Sequence, residues 1–386
     1  MTRLSQILLL SVVTMSANAQ NFKAARIQPE AGGLPAVSLT RQQQGDAQPQ
    51  ILNVEVLPGR GMNIYQVRAF LPGRGIVDLF GSPSLERAAK AMNGGPEDFM
   101  GNQSFMVGGA ILAPYANRIR GKLSPDGRTI AVQMLGKEVR LPANWKGKNP
   151  GAEPHAMHGL IMDRPFQGVR LSAGAKRAAV TASYDAGDFG GHWLSKTRLT
   201  VTTTLDRGGF ELAVTAKNVG QEPEPMGIGW HPYFVFPSGD RRQARIHIPA
   251  KVRAMVNNYD DVFPTGQIVP LAGTPFDFSP SGGAALNQTF VDDCFFELRK
   301  DAAGRAVAEI IDPAARYGLR VIGISPEIRA FQMYAPPDRS LVALEPQFNL
   351  AEPFSGIYPA GTDTGMVTLQ PGQSVTYRVR LEMFVP

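Results

Sequence analysis

A chain of 386 residues that is 43% hydrophobic and holds one cysteine can bury a large core, and it has no partner for an internal disulfide. Its formal charge of +6 is small for that length. Its Lys and Arg are scattered as GRG, KGK, RR and RVR, which disfavours a nucleic-acid surface and leaves a solvated exterior as their simpler role.

In chain order, Arg3 is followed by an apolar run from Leu4 to Met15, too short to span a bilayer. Ala17-Asn18-Ala19 then supplies a small-x-small cleavage pattern. Residues 1–19 therefore read as a secretory signal, which implies an exported protein, periplasmic or secreted, with no membrane anchor. Residues 20–50, with Pro, Gly and the polar run RQQQGDAQPQ, read as a partly ordered leader without a packed core. From residue 51 to 386 the dominant signal is period-two alternation. It is clearest in RTIAVQM (128–134), TRLTVTTTL (197–205), FELAVTAKNV (210–219), ARIHI (244–248) and SVTYRVRLEMF (374–384). Turn chemistry such as SPDGR (124–128) and DRGG (206–209) bounds these runs, the pattern of antiparallel strands with one buried face. Helical spacing stands out only in SPSLERAAKAM (82–92), with a Ser-Pro start and an Asn93-Gly94-Gly95 stop. Such strands, with 41 glycines and 31 prolines, predict an all-β fold, one large antiparallel β-sandwich without an internal linker.

Chemistry-bearing side chains gather in five stretches that read as non-strand: APYANRIRG (113–121), EPHAMHGL (153–160), GIGWHPYF (227–234), FVDDCF (290–295) and ALEPQF (343–348). No G-x-S-x-G elbow marks a serine nucleophile, and Cys294 reads as a small buried hydrophobe. His155 and His158, with Glu153 ahead of them, are a weak metal pattern, because a metal needs further ligands and a second shell. The remaining option pairs a carboxylate with an imidazole. Glu345 lies in an otherwise apolar or neutral stretch, where burial raises its pKa. His231 lies among aromatics, where burial lowers its pKa unless a carboxylate offsets it. Taken singly, Arg118 could be a structural ion pair, His158 a loop histidine, His231 a satisfied core histidine and Asp292 a turn cap. Trp193, Trp230 and His247 read as structural.

In order, NRI (117–119), HG (158–159), HPYF (231–234), DDCF (292–295) and LEPQ (344–347) resemble the aldose 1-epimerase (galactose mutarotase) family. The resemblance runs from about residue 52 to the C-terminus, and VEVLPGRGMNIYQV (54–67) is similar to the family's opening strand pair. It implies a mutarotase-type sandwich with a sugar cleft across one sheet. Glu345 would be the general base on the anomeric hydroxyl and His231 the general acid on the ring oxygen. His158 would hydrogen-bond the sugar, Arg118 and Asp292 would bind hydroxyls, and Asn117 would shape the Arg118 loop. No metal and no cofactor are called for, the partner is a small-molecule sugar, and the oligomeric state is left open. The chain departs from the family in carrying HGL for HGG, Val235 where asparagine is common, and EPQ for ETQ. The sequence therefore predicts an exported isomerase that interconverts the anomers of a free hexose. Two alternatives stand beside it: a non-catalytic carbohydrate-binding protein on the same fold, and a metal-dependent β-sandwich enzyme using Glu153, His155 and His158. A hexose-6-phosphate epimerase is a close variant disfavoured by the signal.

Overall fold

The computed structural model describes residues 21–386. The expected signal, residues 1–19, lies outside the described residues. Two antiparallel sheets, of twelve and nine strands, pack face to face around one continuous apolar core. No helix among the described residues is long and apolar enough to cross a membrane.

The nine-stranded sheet follows directly from its sequence. In Thr197–Asp206 and Phe210–Asn218 alternate residues are buried, so Leu199, Val201 and Leu205 and then Phe210, Leu212 and Val214 enter the core. The two strands pair along their length, Leu205 opposite Phe210 and Val201 opposite Val214. Outward threonines pair across strands, as in Thr181 with Thr202 at 2.9 Å. Period-two burial of β-branched residues is what a sheet covered on one face selects.

The twelve-stranded sheet obeys a different rule in its middle. Gly229–Val235, Leu341–Gln347, Ala330–Ala335 and Val291–Phe296 are consecutive neighbours there, and nearly every residue in them is buried. Trp230, Phe234, Leu344, Phe331 and Phe295 face the sandwich core. The alternate residues face away from it, into a cleft. Three of the five stretches expected outside strands thus lie in central strands. Pro232 and Pro346 argue against a central strand in sequence, because proline cannot donate to the ladder. They are accommodated because neighbouring positions carry the pairing: Tyr233 is opposite Ala343, and Tyr233 N–H donates to Gly108 O at 2.9 Å.

Residues 21–50 are more than a partly ordered leader without a packed core. Phe22–Ala31 and Leu34–Arg41 form a hairpin that joins the twelve-stranded sheet through Gln50–Leu57. Phe22, Val37 and Leu39 enter the main core, which outweighs the polar composition of the segment. The run after Arg41 is a loop, tied down where Gln44 N–H donates to the Gln50 side chain at 2.9 Å. The helix expected near 82–92 forms over Leu85–Ala91, and the Ser84 hydroxyl caps it by accepting from Arg87 N–H.

Candidate active site

The site is assembled on the cleft face of the central strands. Pairing of Gly229 with Gln347 and Tyr233 with Ala343 sets His231 opposite Glu345, and Glu345 is in turn opposite Gln332. The next row on the same face runs Tyr233, Ala343, Tyr334 and Asp292. Period-two geometry therefore delivers His231, Glu345, Gln332 and Asp292 to one surface from four strands.

Two tight loops complete it. Arg118–Ile119 pairs with Ala156–Met157, which brings the NRI and HG stretches side by side. Asn117 and His158 both adopt left-handed backbone, with φ of 63° and 62°. For a residue with a side chain that conformation costs of order 1–2 kcal/mol, and the surroundings hold it. His158 N–H donates to Asn117 O at 3.0 Å, and Asn349 brackets Ala116 by bonding both its N–H and its carbonyl. Gly159, at φ 81°, is required: a Cβ there would lie 2.3 Å from Ala113 O. Leu160, where the family more often has glycine, is a buried core residue.

All six residues expected to form a site lie together. His231 Nε2 is 3.2 Å from Glu345 Oε1, and both side chains are almost fully buried. The His158 ring lies edge-on to His231 at 4.9 Å. The other three form a closed hydrogen-bonded ring with Gln332, a residue the sequence reading missed. Asn117 Nδ2 donates to Gln332 Oε1 at 2.9 Å, and Gln332 Nε2 donates to Asp292 Oδ1 at 2.6 Å. Arg118 closes the ring by donating to Asp292 Oδ2 at 3.4 Å and to Asn117 Oδ1 at 3.3 Å. Strand alternation sets the neighbouring Asp293 apart from this ring: it pairs with Arg253 and accepts from the Tyr259 hydroxyl at 3.0 Å.

Four buried polar atoms on these residues have no hydrogen-bond partner: Arg118 Nε, His158 Nδ1, His231 Nδ1 and Glu345 Oε2. Buried polar groups are normally satisfied, so their concentration in one place marks a surface built for a polar ligand. The electrostatics follow from burial. Desolvation, with Arg118 adding to it, draws His231 down to about 4. Desolvation and then the nearby Asp292 carboxylate push Glu345 well above its ordinary range. Desolvation, then His231 and Arg118, hold His158 well below 6.5, so it is a neutral imidazole. Asp292 is raised by burial and partly restored by Arg118.

One wall comes from the segment after the first helix. Buried Arg60 bonds Asp98 at 2.6 Å and Ser104 Oγ at 2.9 Å, which fixes the turn that presents Phe105. The Phe105 ring packs 5.0 Å from His158, 5.7 Å from His231 and 5.2 Å from Trp145. Nothing in the local sequence signals that contact. Of the aromatics beside His231 in its own strand, Trp230 and Phe234 lie in the core, and Tyr233 shares the histidine's face, with its ring 4.9 Å away.

The metal alternative does not assemble. The Glu153 carboxylate is held by Arg120 at 2.7 Å, His155 Nδ1 meets Glu153 O at 2.9 Å, and the His155 ring packs on Phe263. Among the described residues no group of three or more His, Cys, Asp or Glu side chains converges as a metal site. Cys294 is buried, its thiol pushed up to about 12 by desolvation.

The family model for aldose 1-epimerase matches residues 91–382. The chain belongs to the aldose 1-epimerase family. As a family member it is an isomerase, and its all-β sandwich is the fold shared by solved galactose mutarotase-like proteins. A galactose mutarotase-like protein from Clostridium acetobutylicum superposes with a TM-score of 0.70 at 16% identity, covering 95% of this chain and 99% of that one. A galactose 1-epimerase from Lactobacillus acidophilus gives 0.63 at 16% identity, covering 95% and 99%. An aldose epimerase homologue from C. elegans gives 0.64 at 18% identity, covering 87% and 96%. No curated protein matches the chain by sequence. At these identities the solved structures speak for the fold, and the family model speaks for the family. The aldose 1-epimerase match begins at residue 91, so the N-terminal hairpin and all but the last residue of the first helix precede the matched span.

Proposed function

We propose that the protein is an exported aldose 1-epimerase that interconverts the α and β anomers of a free hexose. Glu345 acts as base and His231 as acid. The observation that carries this reading is the buried His231–Glu345 contact, flanked by the polar ring of Asn117, Arg118, Asp292 and Gln332. The Glu345 carboxylate takes the proton of the anomeric hydroxyl as the C1–O5 bond breaks, and His231 gives a proton to O5. The open-chain aldehyde rotates about C1–C2. Reclosure on the other face returns the O5 proton to His231 and the Glu345 proton to O1.

Burial favours the uncharged form of the pair, Glu345 protonated and His231 neutral. The reactive form, carboxylate and imidazolium, holds the same number of protons. One transfer across the 3.2 Å contact connects the two, with no exchange with solvent. Hydroxyls of the sugar supply hydrogen bonds that stabilise the charged form when they replace the contact. Arg118 and Asp292 bind hydroxyls of the sugar, and neutral His158 donates or accepts near the ring oxygen.

Polarimetry on fresh solutions of single hexose anomers tests the reaction, with decay to equilibrium faster than the spontaneous rate as the expected result. Saturable sugar binding in calorimetry without faster decay would instead make the chain a carbohydrate-binding protein. Export rests on the sequence of residues 1–19. It predicts a mature chain that begins at Gln20 in the periplasmic fraction, read by intact-mass measurement.

A further inference from the structure

We propose that Glu352, a buried acid outside the five stretches singled out in the sequence, is a positioning residue that sets the backbone carrying Arg118. The inference rests on the sugar-binding role given to Arg118 above. Arg118–Ile119 is a strand of two residues, paired along one edge with Ala156–Met157. So short a strand does not hold an arginine in place by itself. On its other edge Glu352 N–H donates to Arg118 O at 2.8 Å, and Arg120 N–H donates to Glu352 Oε1 at 2.5 Å. One residue thereby stands in for a neighbouring strand, its carboxylate replacing the carbonyl that a strand would offer.

The clamp is tied to the base. Leu341–Gln347, which carries Glu345, runs on into Asn349, whose side chain bonds both the N–H and the carbonyl of Ala116. Asn349 and Glu352 therefore grip the turn that presents Asn117 and Arg118 from its two ends. Their segment is itself anchored. Leu350 and Tyr358 pack in an apolar cluster with Cys294 and Ala330, and the Tyr358 hydroxyl donates to Ala351 O at 3.0 Å. Ser355 Oγ donates to Glu352 O at 3.1 Å.

Plain packing does not explain a glutamate here. Its backbone is left-handed, with φ of 56°, a conformation that glycine or asparagine adopts at lower cost. Its side chain is 1% exposed, and burial pushes the carboxyl up to about 7. The nearby Arg120 guanidinium is shared with Glu153, 2.7 Å from it, so it offsets that burial only in part. Backbone strain and a desolvated carboxylate on one residue, bonded to the backbone of a binding arginine, mark a geometry held for use.

The test measures kcat and KM for galactose and glucose in anomer exchange by NMR, and sugar affinity by calorimetry. Glu352→Gly and Glu352→Gln are compared with the natural protein, each also in the Arg118→Met background. Glycine keeps the left-handed turn and removes the carboxylate, whereas glutamine keeps an acceptor oxygen of the same reach. Glu352→Gly is expected to raise KM and Kd about three- to tenfold, the net worth of a hydrogen bond, with kcat within about threefold. Glu352→Gln should restore both to within about twofold of the natural values. In the Arg118→Met background Glu352→Gly should add less than about twofold, because the two residues act as one unit. Glu352→Asn, one methylene too short to reach Arg120, replaces the glycine variant where that fails to fold. Unchanged KM and Kd, a loss confined to kcat, or a Glu352 effect that persists in full in the Arg118→Met background overturns the positioning role alone. The expected affinity changes without accelerated exchange support the positioning role and overturn the anomer-exchange reading. A natural protein that neither binds nor exchanges these sugars overturns both.

Discussion

The two sheets of the sandwich are built from the same strand geometry and do different work. In the nine-stranded sheet, one face enters the core and the other meets solvent, so Thr197–Asp206 and Phe210–Asn218 alternate cleanly. In the middle of the twelve-stranded sheet both faces are buried, one against the core and one beneath the cleft. There the second face carries histidine, glutamate, glutamine and aspartate in place of threonine. The first sheet stores stability, and the second uses that rigidity to hold groups whose burial is unfavourable in itself.

Exchanging the roles of the two sheets by mutation should break this division visibly. The largest effect belongs to the acid/base pair: Glu345→Gln and His231→Asn each lower kcat about 10²–10⁴-fold, with the melting temperature unchanged or raised. Loss of stability with catalysis intact would contradict the assignment. Opposite in kind is Leu212→Ala in the nine-stranded sheet. It should cost about 2–5 kcal/mol in urea denaturation while kcat of the folded fraction stays unchanged. Arg118→Met removes one partner of the buried pair with Asp292. It should cost up to about 3 kcal/mol of stability and raise KM about tenfold or more, a mixed signature that neither sheet's pattern alone produces.

A smaller effect is read in the pH profile of kcat/KM. Burial lowers His231 to about 4 and raises Glu345, so the pair keeps its single shared proton from about pH 4 upward. Below that a second proton arrives and no base remains. Above the raised value of Glu345 the proton leaves and no acid remains. Activity should therefore hold well below pH 6 and fall on an acid limb near 4. An acid limb near 6.5 would place the imidazole in water and contradict the buried pair.

The same contrast explains what could be read from sequence. The nine-stranded sheet announces itself because one-sided burial writes period two into residue types. The central strands of the other sheet do not, because both faces are buried and prolines interrupt GWHPYFV and LEPQ. Their polar residues look like loop chemistry. The six candidate residues that the structure brings together nevertheless stood out as motifs in order, where residue type carries information that periodicity lacks. Gln332 escaped because AFQMYA reads as an apolar run with one polar residue. Its position between Phe331 and Met333, both in the core, puts it on the opposite face and was the available signal. Phe105 could not be found, since its place depends on the distant Arg60–Asp98 pair. The N-terminal hairpin was misread because Phe22–Ala31 is largely exposed, and an edge strand leaves a weak hydrophobic pattern.

The most direct test of the account is anomer exchange of a free hexose, followed by NMR magnetisation transfer, for the natural protein and for Glu345→Gln side by side. The account predicts exchange well above the spontaneous rate for the former and a loss of about 10²-fold or more for the latter, with sugar binding retained in calorimetry. Equal exchange by both proteins would contradict the assignment of Glu345 as the base, and with it the reading of the buried pair.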